Sequence, residues 1–472
     1  MSNGPKRTVN AVVSAVKVAR PRATPGGLLL AFGSSLCIGA VWYLVPHPAV
    51  AAVLALLPGM TLVVLGYPFV MVVFFVVFSF FRIHEVFPQL YSLKIPLLLS
   101  LASIFALCWH LMISQKIKVY WRFELNLIAL FFFWVILGVI LASNQSVAIS
   151  YFKGIYWKIA LMTFAIAWLT RTIKDFAFAS RLFTAAGLMV ALVALNNKMT
   201  GIGLVEGGRV TIGRDIGSVL GDPNDLALVL MFPAAFALSL MLNKGIGFFS
   251  RSLGLMSFIS LFSAVIATQS RGGLLGIMAV IGVFAYRRTK SKSLFLIGGA
   301  LVAALLYTVA GISDRASGGA GEAGIDESAM GRLYAWEAAF HMALENPLFG
   351  VGIDNFYYNY YFYSKHWDGL NHAVHSTWFG VLAETGFVGL LVFIAMITVL
   401  IRSSLRSLEI IEAQTAPVSP EIVATAQAVL TGLIGTVVSG TFLTQGFTWP
   451  LYILSALVCA TAQWVATHLT DG

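Results

Sequence analysis

Charged side chains are scarce in this sequence. Asp, Glu, Lys and Arg make up 11% of its 472 residues, whereas hydrophobic residues make up 59%. A soluble globular domain contains about 25% charged and about 45–50% apolar residues, so this shortage excludes a soluble domain and indicates an integral membrane protein. The apolar runs are continuous and roughly 17–25 residues long, as helices crossing a hydrocarbon layer of about 30 Å require. Because the runs do not alternate polar and apolar residues, they exclude an outer-membrane barrel and predict an all-α polytopic membrane protein.

Cysteine and cofactor motifs are also largely missing. The three cysteines, Cys37, Cys108 and Cys459, all lie inside apolar runs, so no disulfide framework is expected. The sequence has no Walker-type glycine loop, and no spacing of His, Cys or carboxylate residues suggests a metal site. We therefore expect no cofactor.

Hydropathy predicts fourteen membrane spans. Two assignments have alternatives: the 49–81 stretch is either two spans or one span with a re-entrant piece, and the 252–286 stretch divides only at residues 269–273. Merging both pairs gives twelve spans with the same final orientation. The fourteen predicted spans cover residues 27–45, 49–65, 67–81, 95–113, 124–142, 155–170, 180–196, 224–242, 252–268, 272–286, 293–311, 376–401, 425–444 and 448–468.

The orientation follows from the basic residues, which concentrate in cytoplasmic segments of membrane proteins. In the predicted topology those segments hold 19 of the 30 lysines and arginines. The chain then has a cytoplasmic basic tail at 1–26, transmembrane helices with short loops over 27–311, one large outward loop at 312–375 and C-terminal transmembrane helices over 376–472. Both termini are expected in the cytoplasm. The net charge of +10 thus reflects membrane orientation and does not argue for nucleic-acid binding.

Three predicted helix starts on the outward side carry unusual polar residues. The first follows the 197–223 loop, in which Arg209 and Arg214 precede Gly221-Asp222-Pro223-Asn224. Asp222 suits the N-cap of a helix and Pro223 suits its first position. Helix capping explains these two residues, but it does not explain the two arginines.

The second helix start is Ser270-Arg271-Gly272-Gly273. The glycines would let a ligand approach the backbone closely, and the helix N-terminus favours an anion. The alternative is a tight turn with an arginine that reaches the interface.

The third helix start follows His375, in the segment Asn371-His372-Ala373-Val374-His375-Ser376. A histidine at the membrane boundary titrates near neutral pH and could remove a proton from a polar acceptor. The alternative is a residue that only caps a transmembrane helix. His372 is a second candidate base. Glu384 lies nine residues after His375, on the opposite face of a straight helix, so we expect it to bond to a neighbouring helix instead.

Together these features predict a site for an anion at the outer membrane surface. Arg209, Arg214 and Arg271 could join three helix N-termini around one diphosphate, because a guanidinium matches phosphate oxygens in bidentate fashion. Arg332, in the outward loop, is a secondary candidate.

The 312–375 loop is the only sizeable polar element. Residues 317–324 are too glycine-rich for regular structure. Residues 328–344 predict an amphipathic helix, with one apolar side formed by Leu333, Trp336, Phe340 and Ala343. A turn follows at 347–356, and then five tyrosines between 357 and 363 predict interfacial anchors or, alternatively, a surface that stacks on sugar.

Four of these motifs resemble the O-antigen ligase and polymerase superfamily of bacterial inner-membrane glycosyltransferases. They are the Gly-Asp-Pro-Asn segment after an arginine, Ser270-Arg271-Gly272-Gly273, the 347–356 turn, and His375-Ser376 followed by Gly386 and Gly389. The family often has asparagine where this chain has Ser376. The segment Phe81-Arg82-Ile83-His84-Glu85 is also similar to ligases of exopolysaccharide or protein-sorting loci.

The resemblance implies a multi-pass protein of the bacterial inner membrane whose active site faces the periplasm. It implies transfer of a glycan from undecaprenyl diphosphate to an acceptor hydroxyl, without metal or nucleotide. The expected acceptor is the lipid A–core saccharide; a second lipid-linked repeat, as in a polymerase, or a protein side chain are alternatives. A transporter of the same lipid is a further alternative, but it should carry internal repeats and mid-membrane polar residues, and the sequence shows neither.

Overall fold

The computed structural model describes residues 48–206, 208–291, 295–300 and 327–470, and also 32–33, 35–36, 38–40, 43 and 293. These residues are overwhelmingly helical, with one short hairpin. The helices used below are α1 (Pro48–Gly66), α2 (Pro68–Ser79), α3 (Ile83–Val86), α4 (Ile95–Cys108), α5 (Phe123–Ile140), α6 (Gln145–Tyr151), α7 (Trp157–Leu169), α8 (Ile173–Thr200), α9 (Pro223–Leu242), α10 (Phe248–Thr268), α11 (Arg271–Arg288), α12 (Glu327–Glu345), α13 (Phe356–Tyr363), α14 (Thr377–Glu412), α15 (Pro420–Gly440) and α16 (Trp449–Val465); strands β1 (Leu204–Val205) and β2 (Arg209–Val210) form the antiparallel hairpin.

The chain forms two compact units, Met1–Gly66 and Tyr67–Gly472. Every residue discussed for the candidate site belongs to the second unit.

The prediction of an all-α polytopic membrane protein is confirmed. Within the described ranges, nine helices are long and apolar enough to cross a membrane, and each coincides with a predicted span; a tenth arises if Leu54–Gly66 and Pro68–Ser79 are taken as one broken span. The nine are Gln89–Ile113, Phe123–Ile140, Gln145–Leu169, Ile173–Thr200, Pro223–Leu242, Phe248–Thr268, Thr377–Glu412, Pro420–Gly440 and Trp449–Thr470.

The predicted spans in the 252–286 stretch are described by the structure, whereas two others are mostly not. The 252–286 stretch forms two separate helices, α10 and α11, because Gln269 adopts a left-handed conformation (φ 51°) and Ser270 caps the second helix. The predicted spans 27–45 and 293–311 lie mostly outside the described residues.

Helix α9 occupies the centre of the bundle. Nearly every side chain from Leu226 to Leu240 is buried, and α9 packs against α8, α10, α11 and α15. A helix that is apolar on all sides is suited to such a position. The N-terminus of α9 is therefore held rigidly, and the candidate site is built around it.

Helix α14 is broken at Gly386, where φ is 70° and ψ is −174°. The 346–355 loop packs into this break: Phe387 N donates to Pro347 O (2.9 Å) and Val351 N donates to Ala383 O (2.8 Å). A Cβ at Gly386 would lie 2.5 Å from Pro347 O, so this position needs glycine both for its backbone conformation and for space. The break ties the outward loop to the first turns of α14.

The predicted amphipathic helix of the outward loop exists as α12, but it buries a different face. Leu333 and Phe340 are 47% and 43% exposed, whereas its buried side chains are the small residues Ala335, Ala338, Ala339 and Ala343 together with Met342. The physical reason is close packing: α12 lies against α14, and alanines allow the two backbones to approach. Leu333 and Phe340 are left exposed instead.

Candidate functional site

The start of α9 has the predicted cap. The Asp222 carboxylate accepts hydrogen bonds from Asn224 N (2.7 Å) and Asp225 N (3.2 Å), and Pro223 is the first helical residue. Such a cap contributes about 1 kcal/mol to helix stability. It leaves Asp222 at the surface, where its charge acts on neighbouring groups.

The start of α11 is joined to the start of α9 by side-chain hydrogen bonds. Ser270 Oγ accepts from Gly273 N (3.2 Å), which caps α11, and donates to Asn224 Oδ1 (2.9 Å). Arg271, the first residue of α11, is thereby placed beside the N-terminal turn of α9.

The glycines after Arg271 serve helix packing. A Cβ at Gly273 would lie 2.4 Å from the Ala227 Cβ, and one at Gly272 would lie 3.2 Å from the Leu443 side chain. Both glycines are buried, so they bring α11 close to α9 and to the α15–α16 loop. The sequence suggested close approach of a ligand; the structure has protein in that position.

Arg209 is committed to protein groups. Its side chain is buried, and Nε donates to Thr268 O (2.9 Å), Nη1 to Glu206 (2.6 Å) and Nη2 to Asn224 Oδ1 (2.9 Å). The guanidinium thus joins the hairpin, the end of α10 and the start of α9. This arrangement suits a residue that positions the helix starts better than one that binds a ligand.

Arg214 is different, because its side chain is exposed. Within the described residues, its one polar contact is a long one, from Nη1 to Gly221 O at 3.5 Å. A Cβ on Gly221 would lie 2.9 Å from the Arg214 Cα, so this glycine lets the Arg214 backbone pack directly before the cap of α9. The guanidinium is available at the surface beside that cap.

The start of α14 joins the same assembly. Thr377 Oγ1 donates to Leu443 O (2.7 Å) and accepts from Gln445 N (2.8 Å). Leu443 also packs on Gly272 at the start of α11. The structure therefore brings together the three helix starts that the sequence singled out.

His375 lies directly before α14 with a left-handed backbone (φ 44°), which is uncommon for a residue other than glycine and is typical of functional positions. Its side chain is half-buried. Asp222, Arg332 and His372 are close enough to act on it electrostatically. His375 therefore lies between the cap of α9 and helix α12.

The environment lowers the pKa of His375 below its usual value of 6.5. Burial is the main cause, the positive charge of Arg332 and the neighbouring His372 act in the same direction, and Asp222 opposes them. The imidazole is accordingly neutral at neutral pH and can accept a proton.

His372 has a partner that His375 does not share. Its Nε2 lies 3.0 Å from both carboxylate oxygens of Asp368, and its ring meets the edge of Tyr360. The hydrogen bond from His372 lowers the pKa of Asp368. Because the Nε2 of His372 is already bonded to Asp368, His372 is less suited than His375 to act as a base.

Glu384 lies away from His375, on the outward-loop side of α14. Its carboxylate is buried and accepts from Phe356 N (3.2 Å), the first residue of α13. It thus binds the N-terminus of a neighbouring helix, where a carboxylate is favourable. This contact attaches the 346–355 loop to α14.

Arg332 is carried toward the site by α12. One turn further along, Trp336 donates from Nε1 to Val374 O (3.0 Å) and stacks on Phe379 (centroids 5.0 Å apart). These contacts hold α12 against the residues on either side of His375. The amphipathic pattern of α12 indicated a helix but did not indicate that it packs here.

A second group of basic residues lies near the site, and the sequence predicted no role for it. Arg82, His84, Lys94 and Lys158 line a cavity of about 400 Å³ beside α2 and α4. Ser218 donates to Glu85, which also pairs with Arg82, and Arg82 acts electrostatically on Asp225 in the first turn of α9. In the sequence, the signal that could have indicated this cavity is the charged segment 81–85 after an apolar span.

Within the described ranges, no three His, Cys, Asp or Glu side chains are grouped as ligands of a metal ion. The polar groups gathered at the helix starts are instead arginines, one half-buried neutral histidine and the Asp222 carboxylate.

Comparison with known families gives a match over part of the chain. Residues 256–394 match a family described as O-antigen ligase. The matched part includes Arg271, Arg332, His372, His375 and Glu384, whereas Arg209 and Arg214 precede it. No curated protein matches the chain. Over residues 256–394, the chain is therefore similar to the O-antigen ligase superfamily.

Proposed function

We propose that this protein transfers a glycan from undecaprenyl diphosphate to an acceptor hydroxyl, most simply in the ligation of O-antigen to the lipid A–core saccharide. The observation that carries the proposal is the position of His375. A histidine with a lowered pKa lies directly before α14, close enough to the Asp222 cap of α9 and to Arg332 for both to act on it electrostatically. Arg214 contacts Gly221 just before that cap, and Arg271 begins α11. The family match supports the glycosyltransferase class.

In the proposed reaction, His375 accepts the proton of the acceptor hydroxyl as its oxygen attacks the anomeric carbon of the donor glycan. A new carbon–oxygen bond forms, and the bond between that carbon and the diphosphate oxygen breaks. The electron pair leaves with undecaprenyl diphosphate. Direct attack inverts the configuration at the anomeric carbon.

The leaving diphosphate carries the charge that must be stabilised. Arg214 is exposed before the N-terminus of α9, and the half-buried Arg271 is the first residue of α11. Both guanidinium groups and helix N-termini favour phosphate oxygens. Arg209 holds the two helix starts together through Asn224 and Thr268. We assign it a positioning role.

The basic cavity around Arg82 and Lys94 provides a route for the donor lipid. It adjoins α9 through the Ser218–Glu85 contact, and its other walls include Phe75, Leu97 and Trp449. An anionic head group can therefore lie near cations while the isoprenoid stays beside apolar side chains. In this proposal the site faces the periplasm, the termini are cytoplasmic, and the membrane is the bacterial inner membrane.

The test is transfer by purified protein supplied with a lipid-linked glycan and, in separate reactions, lipid A–core, a second lipid-linked glycan, or a protein acceptor. Product with lipid A–core supports ligation; product with only another acceptor reassigns the protein to polymerisation or protein glycosylation. Absence of product in every reaction, with movement of the lipid across proteoliposome membranes, would replace the transferase proposal by transport.

A further inference from the structure

A second basic cavity lies at the other end of the helix bundle. It has a volume of about 610 Å³ and is enclosed by the start of α5, the later part of α14 and the end of α16. Arg402 follows the break at Gly386 by 16 residues of α14, roughly 24 Å of helix at 1.5 Å per residue. The cavity is therefore separate from the site around His375.

Three arginines line this cavity, and they differ in how they are paired. Arg122 is bound to Glu124 (Nε to Oε2, 3.2 Å), and Ser403 also donates to that carboxylate. Arg402 and Arg406 are exposed, and neither makes a hydrogen bond or ion pair within the described residues. The charge of Glu124 is thus balanced by Arg122, and two positive charges remain.

Neighbouring arginines at this end of the bundle do have protein partners. Arg181 pairs with Glu421, and Arg287 pairs with Glu412 at 2.7 Å. Arg402 and Arg406 are one helical turn apart on α14, so their guanidinium groups project from the same face. A bound anion would offset the repulsion between them.

The surface that leads from the cavity toward the membrane centre is apolar. Leu391 and Ile394 lie on the same face of α14 as Arg402 and are exposed, as are Phe123 and Leu130 on α5. Trp121, at the edge of the cavity, is also exposed, as is typical of residues at the lipid–water boundary. Phosphate-binding groups below an exposed apolar face match a phospholipid better than a free anion.

We infer that this cavity binds the phosphate-bearing head group of an anionic phospholipid from the leaflet opposite the candidate site. Arg402 and Arg406 bind the phosphodiester, and the Gln463 amide, which also lines the cavity, is placed to bond to the glycerol part. The acyl chains lie along the exposed faces of α5 and α14. Basic pockets between helices bind anionic lipids in this way.

The test uses the full-length protein in detergent and measures bound lipid by mass spectrometry of the intact complex. Phosphatidylglycerol should bind in preference to phosphatidylcholine. The R402Q/R406Q variant should lose about tenfold or more of its affinity for phosphatidylglycerol, because each basic group near an anionic lipid strengthens binding several-fold. The matched control is K116Q/K118Q, which removes two exposed charges from the same end outside the cavity.

The R402K/R406K variant keeps the charge without the planar fork and should retain a preference for phosphatidylglycerol at weaker affinity. Equal losses of affinity for phosphatidylglycerol in R402Q/R406Q and K116Q/K118Q would overturn the inference. So would loss of the preference for phosphatidylglycerol over phosphatidylcholine in R402K/R406K. Displacement of phosphatidylglycerol by an equal concentration of glycerol phosphate would assign the cavity to a free phosphate ester instead.

Discussion

At the scale of single residues, the environment separates groups that look equivalent in the sequence. Arg209 and Arg214 are five residues apart, yet the first is buried with three protein partners and the second is exposed with one long contact. His372 and His375 differ in the same manner, because only His372 bonds to a carboxylate. Proximity in sequence therefore does not imply a shared role.

Replacing His375 by alanine should reduce transfer by at least about 100-fold, since general-base catalysis contributes roughly 10²–10⁴-fold. The measurement is product formation from lipid-linked glycan by purified protein, with donor binding measured alongside. H372A is the matched control and should keep most of the activity. If H375A transfers normally and H372A does not, the base is His372.

The lowered pKa of His375 predicts how transfer depends on pH. The base works only when neutral, so activity should be high above its pKa and fall as the pH drops through it. Arg332 lowers this pKa and Asp222 raises it. R332Q should therefore move the acid limb of the pH profile to higher pH, and D222N should move it to lower pH.

Asparagine at position 222 still caps a helix well, so D222N tests charge more than folding. The profiles should be recorded at saturating donor. Shifts of both variants in the same direction, or no shift in either, would contradict the assignment of His375 as the titrating base.

Lysine in place of Arg214 or Arg271 keeps the positive charge but loses the bidentate geometry. Each variant should therefore transfer at least about tenfold more slowly than the unmodified protein, while thermal unfolding stays within a few degrees. The control is K198Q, which removes the positive charge of a lysine that donates to Gly208 O. Full activity in both R214K and R271K would indicate that they only anchor the protein at the membrane surface.

At the scale of elements, the site depends on how helix ends meet. Asn224 joins α9 to α11 through Ser270, Leu443 lies between α11 and α14, and Trp336 holds α12 to the residue before His375. The break in α14 at Gly386 then admits the 346–355 loop. Each contact involves a helix end or a loop, so changes there should alter activity more than changes in the middle of a span.

The G386A variant tests this. Alanine would have to adopt φ 70° with its Cβ 2.5 Å from Pro347 O, and strain of this kind costs about 1–3 kcal/mol or more. We expect a lower unfolding temperature and strongly reduced transfer. G282A is the control: Gly282 lies in α11 with no atom within 4 Å of the added Cβ, and alanine there should be neutral or stabilising by up to about 1 kcal/mol. If G386A and G282A have the same unfolding temperature and the same transfer activity, the break in α14 is not needed for the site.

At the scale of the whole molecule, the two ends of the bundle carry different charge arrangements. The site end has Arg214, Arg271 and Arg332 near helix starts and His375. At the opposite end, Arg122, Arg181 and Arg287 pair with carboxylates, whereas Arg402 and Arg406 do not.

Stabilisation of the diphosphate by arginines and helix N-termini predicts that transfer needs no divalent metal. These groups supply fixed positive charge where the leaving group forms. Transfer by purified protein should therefore persist in excess EDTA. Activity that disappears with the chelator and returns on addition of magnesium or manganese would contradict this expectation, and a metal-dependent glycosyltransferase assayed in parallel would show that chelation was complete.

The sequence by itself determined the features that depend on local composition. Continuous apolar runs located the nine helices that can cross a membrane within the described residues. Asp222-Pro223 and Ser270 marked helix starts, because hydropathy and capping act over a few residues. Only the tertiary structure decided which polar groups remain available to a ligand. Arg209 is bound by segments up to 59 residues away. The space beside Gly272 and Gly273 is occupied by side chains of neighbouring segments. Helix α12 buries alanines where the pattern favoured Leu333 and Phe340. The same holds for Arg82 and its cavity, since burial, pairing and pKa depend on distant residues that only folding brings together.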